Sequence, residues 1–378
     1  MSINNLQKEN NKFLLFFLFK LSFMDIQKIL SEFKKKIDLE IKDYLNKAVK
    51  EARKKDYLIS EALRYVKKFV LSGGKRLRAA MMYYGYLSTG GKEKEKILKT
   101  AVSIELIHAF LLIHDDIIDR DEKRHGTNTV HFRYQKLGKR IFPESDYRHF
   151  GSSMAIIIGD MVGAIGSKII FNSGFNTENV FRALTKLQEI ISMTVIGESK
   201  DIYMDYKGEA TEKEVLQMYE YKTAKYTIEG PLHLGAILGG AGGKILKGLS
   251  AFAIPVGIAF QIQDDILGVF GSEKKTGKSE GSDIREGKQT ILVVKAREKM
   301  NPGQKKIFSG IFGKKNLTRK DIEDFRKIII DTGALEYSKN FAKKLVIQGK
   351  KEMEKLEISE SGKDFMRGIA DYMINREL

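Results

Sequence analysis

Ile104-Glu-Leu-Ile-His108-Ala-Phe110-Leu111-Leu-Ile-His-Asp115-Asp116-Ile-Ile-Asp119 and Ile254-Pro-Val-Gly-Ile-Ala-Phe260-Gln261-Ile-Gln-Asp264-Asp265-Ile-Leu-Gly268 set carboxylate pairs inside almost unbroken apolar runs. Runs this apolar belong in a core, where bare carboxylates are costly unless metal ions, cationic groups or a wet cavity offset them. Residues four apart stack on one helical face, so Asp115 and Asp119 point the same way, with Asp116 flanking. Solvated helix ends with a chance acidic cluster would account for one such run. Two runs predict two central helices around one metal-filled cavity. An oxygen-only donor set, without Cys or nearby paired His, suits a hard cation, above all Mg²⁺, which keeps waters and accepts substrate phosphates. The candidate metal ligands are Asp115, Asp116, Asp119, Asp264 and Asp265.

Outward from these runs the chain reads as helix after helix. Apolar residues recur at three- and four-residue spacing through 36–70, 95–119, 151–171, 178–200, 212–240, 245–270, 288–300 and 320–375. Breakers at Ser72-Gly73-Gly74, Thr89-Gly-Gly91, Ser173-Gly174, Gly239 to Gly243 and Gly277 to Gly287 separate them. The polar stretch from Phe132 to Phe150, with Pro143, reads as a surface loop. No repeat and no linker divides the chain, so the expected fold is all-α, a single helical domain over residues 24–378 with the acidic helices at its centre.

Residues Phe13 to Phe23 are strongly apolar but too short to span a bilayer. Met24 then opens an ordinary amphipathic helix, so residues 1–23 are expected to be an extension upstream of the natural start, with a weak membrane-surface anchor as the competing reading. The chain has no Cys, which excludes disulfides, thiolate metal sites and cysteine nucleophiles and fits a reducing cytoplasm. A net charge of +17 is carried mostly by Lys scattered over polar helix faces. No nucleic-acid recognition motif accompanies it, so no nucleic-acid partner is expected; the charge would help attract polyanionic substrates.

Several basic groups stand where such a substrate would need them. Gly73-Gly74-Lys75-Arg76-Leu77-Arg78 places a flexible turn before Lys75 and Arg78, which are three apart on one helical face. The glycines let backbone approach a ligand, and the guanidinium fork suits phosphate oxygens. Arg124 follows the first acidic run, Lys222-Thr223 sits in another apolar helix, and Lys278 and Lys288 follow the second. Gly271-Ser-Glu-Lys-Lys-Thr-Gly277-Lys278-Ser279 imitates a nucleotide-binding phosphate loop, but five residues rather than four separate its glycines and it follows a helix. A nucleotide site is rejected.

Together these motifs resemble the trans-isoprenyl diphosphate synthases, the polyprenyl synthetase family, over about residues 25–378. The first aspartate-rich motif of that family matches Asp115-Asp116-Ile-Ile-Asp119, with Asp121 at the position of longer-spaced versions. The second matches Asp264-Asp265, with Gly268 where many members carry a third Asp. Gly73 to Arg78 matches a further motif, ending in Ala79 where Pro is usual. His108, Phe260-Gln261, Lys222-Thr223, Lys278, Lys288 and the ending Ile369 to Arg376 also resemble family positions. Two departures stand out: His125 takes the place of the second of two arginines, and Ser272 replaces a common Asp.

The resemblance implies the isoprenoid synthase type I bundle and a head-to-tail condensation of isopentenyl diphosphate with an allylic diphosphate, releasing pyrophosphate. It implies that Mg²⁺, three ions with substrate bound, joins the aspartates to the leaving group, aided by Arg124, Lys222 and Lys278. Gly74, Lys75, Arg78, His108 and His125 would serve isopentenyl diphosphate, with Thr223, Phe260, Gln261 and Lys288 as further substrate-binding positions. A homodimer is the expected assembly. Phe110 and Leu111, five and four residues before Asp115, would set product length; a single aromatic at the fifth position implies C20, geranylgeranyl diphosphate, ahead of C15. A class I terpene cyclase would be expected to lack the Lys75/Arg78 pair and the second aspartate pair, and an inactive partner subunit to lose its acidic ligands.

Overall fold

Side-chain caps written into the sequence start many of the helices. Asp56 accepts the Ile59 N–H at 2.8 Å, and Thr211 with Glu214, Asn301 with Gln304 and Thr318 with Asp321 form reciprocal capping boxes. The computed structural model describes residues 3–271 and 280–375, with side chains from Ile26 onward. Its helices are α1 (Ile3–Arg53), α2 (Tyr57–Leu71), α3 (Leu77–Ser88), α4 (Lys94–Ile118), α5 (Val130–Ile141), α6 (Tyr147–Phe171), α7 (Thr177–Lys207) and α8 (Glu212–Met218). After a π-helical segment, Tyr219–Glu229, come α9 (Gly230–Leu238), α10 (Gly243–Phe270), α11 (Ser282–Glu286), α12 (Ile291–Lys299), α13 (Pro302–Ile311), α14 (Arg319–Asp331), α15 (Ala334–Glu354) and α16 (Glu360–Ile374). The described strands are a two-residue pair, Lys123–Arg124 against Thr127–Asn128.

The all-α expectation holds, and both acidic runs lie in long helices, α4 and α10. The α4 helix packs on α3 and α6; α10 packs on α15 and on the π segment. Both helices are apolar and long enough to cross a membrane by composition, yet here much of that apolarity is buried within the bundle.

Four readings of the sequence need correction. Phe132 to Phe150 is not one loop: Val130, His131, Tyr134 and Gly138 form a narrow buried stripe that makes Val130–Ile141 helical, leaving only 142–146 between helices. The run 36–70 breaks at residues 54–56, where Asp56 starts α2. The run 320–375 breaks at Gly333, whose φ of +72° ends α14, and again before Ser359 caps α16. Finally, 212–240 is not a regular α-helix, because residues 219–229 are wound as a π-helix.

That wider winding is held from both sides by close helix contacts. A Cβ on Gly197 of α7 would lie 2.3 Å from the Lys222 backbone nitrogen, and one on Gly257 of α10 would lie 2.5 Å from the Ala224 Cα. Only glycine lets both neighbours approach so far. π-Helical turns concentrate at functional sites, and this one carries Lys222 and Thr223.

Candidate active site

Three cavities meet at Asp264, which lines all of them. The first, about 320 Å³, is acidic and is lined by Asp115, Asp119, Asp264, Asp265, Lys222 and Lys288. The second, about 360 Å³, runs between α4 and α7 and is mostly apolar, with Phe110, Leu111, Leu112, Ile118, Val195 and Ile202 in its walls. The third, about 490 Å³, is basic, with Lys75, Arg76, Arg78, Arg124 and His125 around it. Asp115, Lys222 and Gln261 are common to the first two; Arg78, His108 and Phe260 are common to the last two.

Of the five expected ligands, Asp116 alone does not line the acidic cavity. It is fully buried; Arg124 Nε donates to Oδ1 at 2.6 Å, while Oδ2 has no hydrogen-bond partner. Burial pushes its pKa up to about 7 against the pull of Arg124. The same guanidinium reaches Asp115 Oδ2 at 3.4 Å and Asp121 Oδ2 at 3.5 Å. In the second pair, Asp265 accepts hydrogen bonds from the Tyr219 hydroxyl and, at 2.8 Å, from Gln261 Nε2. Burial raises its pKa well above the carboxylate range. Thr223 Oγ1 donates to Gln261 Oε1 at 2.5 Å, so the π segment orients the residue that orients Asp265.

Asp115, Asp119, Asp264 and the desolvated Asp265 gather carboxylate oxygens on one cavity, a donor set that fits a hard cation. Among the described residues no three carboxylates or imidazoles stand close enough to hold an ion by themselves.

The sequence reading missed a third acidic group. Glu198, Asp201 and Asp205 project from α7 at i, i+3 and i+7 and hold the two lysines. Lys222 Nζ lies 2.6 Å from Asp201 and 2.8 Å from Glu198; Lys288 Nζ lies 3.0 Å from Asp205, 3.4 Å from Asp201 and 3.9 Å from Asp119. Burial alone would lower both ammonium pKa values, but Asp201 and its neighbours raise them, so both lysines stay charged. The signal was present as helically spaced acids in 198–205, but these are interleaved with ordinary surface residues.

In the basic cavity the turn at Gly74, φ +94°, leads into α3. Arg76, whose role the motif does not reveal, is the buried basic residue of the Lys75–Arg78 segment. It adopts φ +56° and bonds Asp38 at 2.7 Å, Glu105 at 3.2 Å and the Val70 carbonyl at 2.5 Å. This network fixes the start of α3 and so positions Lys75 and Arg78. Lys75 Nζ stands 5.2 Å above the Tyr372 ring. Arg78 donates to Thr227 Oγ1 at 2.8 Å and contacts His108 Nε2 at 3.2 Å, while His108 Nδ1 lies 2.6 Å from the Tyr226 hydroxyl. Arg only donates, so Nε2 accepts; burial and then Arg78 keep the imidazole neutral, leaving its proton on Nδ1. His125 has φ +48° and its ring covers Gly73, where a Cβ would lie 2.5 Å from it. It lines the basic cavity and not the acidic one. Lys278 and Ser272 lie outside the described residues.

The polyprenyl synthetase family profile matches residues 58–329. The chain belongs to this family. It is 33% identical over 317 residues to geranylgeranyl diphosphate synthase of Methanosarcina mazei, covering 84% of this chain and 89% of that one. It is 34% identical over 312 residues to geranylfarnesyl diphosphate synthase of Aeropyrum pernix, covering 81% and 92%. The crystal structure of geranylgeranyl pyrophosphate synthase from Corynebacterium glutamicum, complexed with isoprenyl diphosphate and magnesium, superimposes with a TM-score of 0.84 at 31% identity, covering 90% of this chain and 99% of that one.

In this prenyltransferase Phe110 and Leu111 both reach the apolar cavity. Phe110 makes an edge-to-face contact with His114, ring centroids 5.0 Å apart. His114 is held in turn against α6, its Nε2 3.1 Å from the Ile156 carbonyl oxygen.

Proposed function

We propose that this enzyme condenses isopentenyl diphosphate with an allylic diphosphate, head to tail, to give geranylgeranyl diphosphate and pyrophosphate. The observation that carries this reading is the meeting of an acidic, an apolar and a basic cavity at Asp264. Two diphosphates need separate charged sites, and their hydrocarbon parts need one common dry space between them.

Asp115, Asp119 and Asp264, backed by Asp116 and Asp265, would hold Mg²⁺, three ions once substrate is bound. The metal supplies positive charge to the departing pyrophosphate. Lys222 and Lys288, kept charged by the α7 acids, would add to that charge, and Lys278 joins them in this reading. Arg124 would exchange part of its contact with Asp115 for allylic diphosphate oxygens. Lys75, Arg78 and His108 would hold isopentenyl diphosphate with its double bond toward the allylic carbon. Thr223, Phe260 and Gln261 fill the wall between the two substrates. The apolar walls that line most of the tunnel limit capture of the allylic cation, and the released pyrophosphate takes the final proton.

Incubating the purified chain with Mg²⁺, labelled isopentenyl diphosphate and dimethylallyl, geranyl or farnesyl diphosphate tests this directly. Labelled C20 diphosphate is the expected product; a cyclic hydrocarbon or no turnover overturns the reading. Because relatives are named for both C20 and C25 products, length is tested separately. Phe110→Ala removes aromatic volume from the tunnel and is expected to move the main product at least one isoprene unit longer. Mass analysis showing unchanged length would remove Phe110 as the ruler, leaving Ile107 and Leu111.

His125→Arg restores a guanidinium fork on the basic cavity. It is expected to lower the KM for isopentenyl diphosphate several-fold, more than the KM for the allylic primer. Steady-state kinetics with equal or reversed effects would place this residue's action elsewhere.

A homodimer is part of the proposal. Ile156 and Ile157 on α6 and Phe181, Val195, Tyr203 and Tyr206 on α7 are exposed. Only 39% of the most apolar window of α6 is buried in a single chain. Apolar surface on that scale favours a protein partner. Light scattering should give twice the chain mass, and Ile157→Lys should shift it toward the monomer.

A further inference from the structure

Three side chains on one face of α4 are seated in three glycines on one face of α6. A Cβ on Gly166 would lie 2.9 Å from Ile107 Cδ1, one on Gly163 would lie 3.1 Å from the Phe110 ring, and one on Gly159 would lie 2.5 Å from His114 Nε2. The spacings 107, 110, 114 and 166, 163, 159 match an antiparallel pair read at i, i+3/i+4 and i+7. The Phe110 ring, while lining the tunnel, is therefore partly seated in a notch that exists only because residue 163 has no side chain. Neighbours flank the notch on three sides. Ile107 lies one turn back on α4, the His114 ring meets the Phe110 ring edge to face, and the α6 backbone forms the floor. The remaining side is the apolar cavity.

We propose that Gly163 determines product length by setting how far the Phe110 ring recedes from the elongation tunnel. This rests on the prenyl diphosphate synthase reading given above. A side chain added at 163 presses on the ring from the α6 side, and the ring can yield toward the apolar cavity that it already lines. The displacement is small for alanine, whose Cβ needs a few tenths of an ångström, and larger for leucine. A ring advanced into the tunnel meets the growing chain earlier, so the product shortens. The residue acts through Phe110 and touches neither the carboxylates nor the basic cavity.

The test is product analysis by mass spectrometry on wild type, Gly163→Ala, Gly163→Leu, Phe110→Ala and the Phe110→Ala/Gly163→Leu double variant, with the same primer. Expected results are a raised C15-to-C20 ratio for Gly163→Ala and mainly C15 for Gly163→Leu. The double variant should return to C20 or longer, because the lever between residue 163 and the tunnel is gone. If Gly163→Leu does not fold, the Gly163→Ala ratio still decides. An unchanged ratio in Gly163→Ala overturns the proposal, and so does equal shortening by Gly163→Leu with or without Phe110, which would mean that leucine itself fills the tunnel. Failure of the wild-type chain to extend any primer would instead overturn the synthase reading.

Discussion

Asp264→Ala or Asp115→Ala is expected to reduce turnover by about 10³-fold or more while leaving the fold intact. Both residues face the acidic cavity, and Asp264 also borders the tunnel and the basic cavity. In the proposed mechanism each variant lacks an oxygen ligand of the Mg²⁺ site that would stabilise the leaving group by several kcal/mol, and about 4 kcal/mol corresponds to 10³ in rate. Without metal, like carboxylates crowd a poorly solvated space, and the repulsion relieved by removing one offsets the loss of contacts such as that of Arg124 with Asp115. The metal-free variants should therefore melt at or above the wild-type temperature, and added Mg²⁺ with pyrophosphate should raise their melting temperature less than it raises that of wild type. Steady-state turnover at saturating Mg²⁺, together with thermal scans, measures both effects. Near-normal turnover in either variant would remove that carboxylate from the metal site. A large loss of stability would show that the side chain holds the fold instead.

Much of this site was legible because it breaks a rule of sequence patterning. Asp115 and Asp264 are conspicuous only against the apolar runs around them, and a carboxylate in such a run needs a reason. The same contrast gave α4 and α10 their central place. It failed where a functional group sits among residues that look ordinary. Glu198 and Asp201 lie in a charged, partly exposed stretch of α7, so their hold on Lys222 required the folded geometry. Arg76 was hidden by its neighbours, since three basic residues in four positions do not say which one turns inward. The structure shows that it is the one with φ +56°, paired to Asp38 and Glu105. The π-helical segment was invisible to periodicity because its cause is external, in the close approach of Gly197 and Gly257. Helix α5 was missed for a simpler reason: its buried stripe is only four residues wide in an otherwise polar segment.

The other large effect is expected from Asp201, which holds both lysines of the acidic cavity on a single carboxylate. It is buried, and although burial works to raise its pKa, Lys222 and Lys288 bring it below the usual carboxylate value. A carboxylate whose folded pKa is depressed adds stability above its unfolded pKa of about 3.9 and loses that contribution as pH falls through the folded value. Asp201→Ala removes the charge and the acceptor together. It is expected to cost roughly 2–4 kcal/mol in urea unfolding at pH 7, toward the lower end because Lys222 keeps Glu198 and Lys288 keeps Asp205. The difference between variant and wild type should begin to shrink below about pH 4, where the unfolded chain protonates, and be smallest below the depressed folded value, where the native carboxylate also loses its charge. In turnover the loss should be about 10²-fold, since the two ammonium groups are held less closely at the cavity wall and small misplacements cost that much. Asp201→Asn keeps an acceptor oxygen and should fall between the two. The loss should appear in kcat more than in the KM for isopentenyl diphosphate, because Lys222 and Lys288 line the acidic cavity and not the basic one. A change confined to stability, with kcat intact, would mean that the lysines find their positions without Asp201 and that the α7 acids serve only the fold.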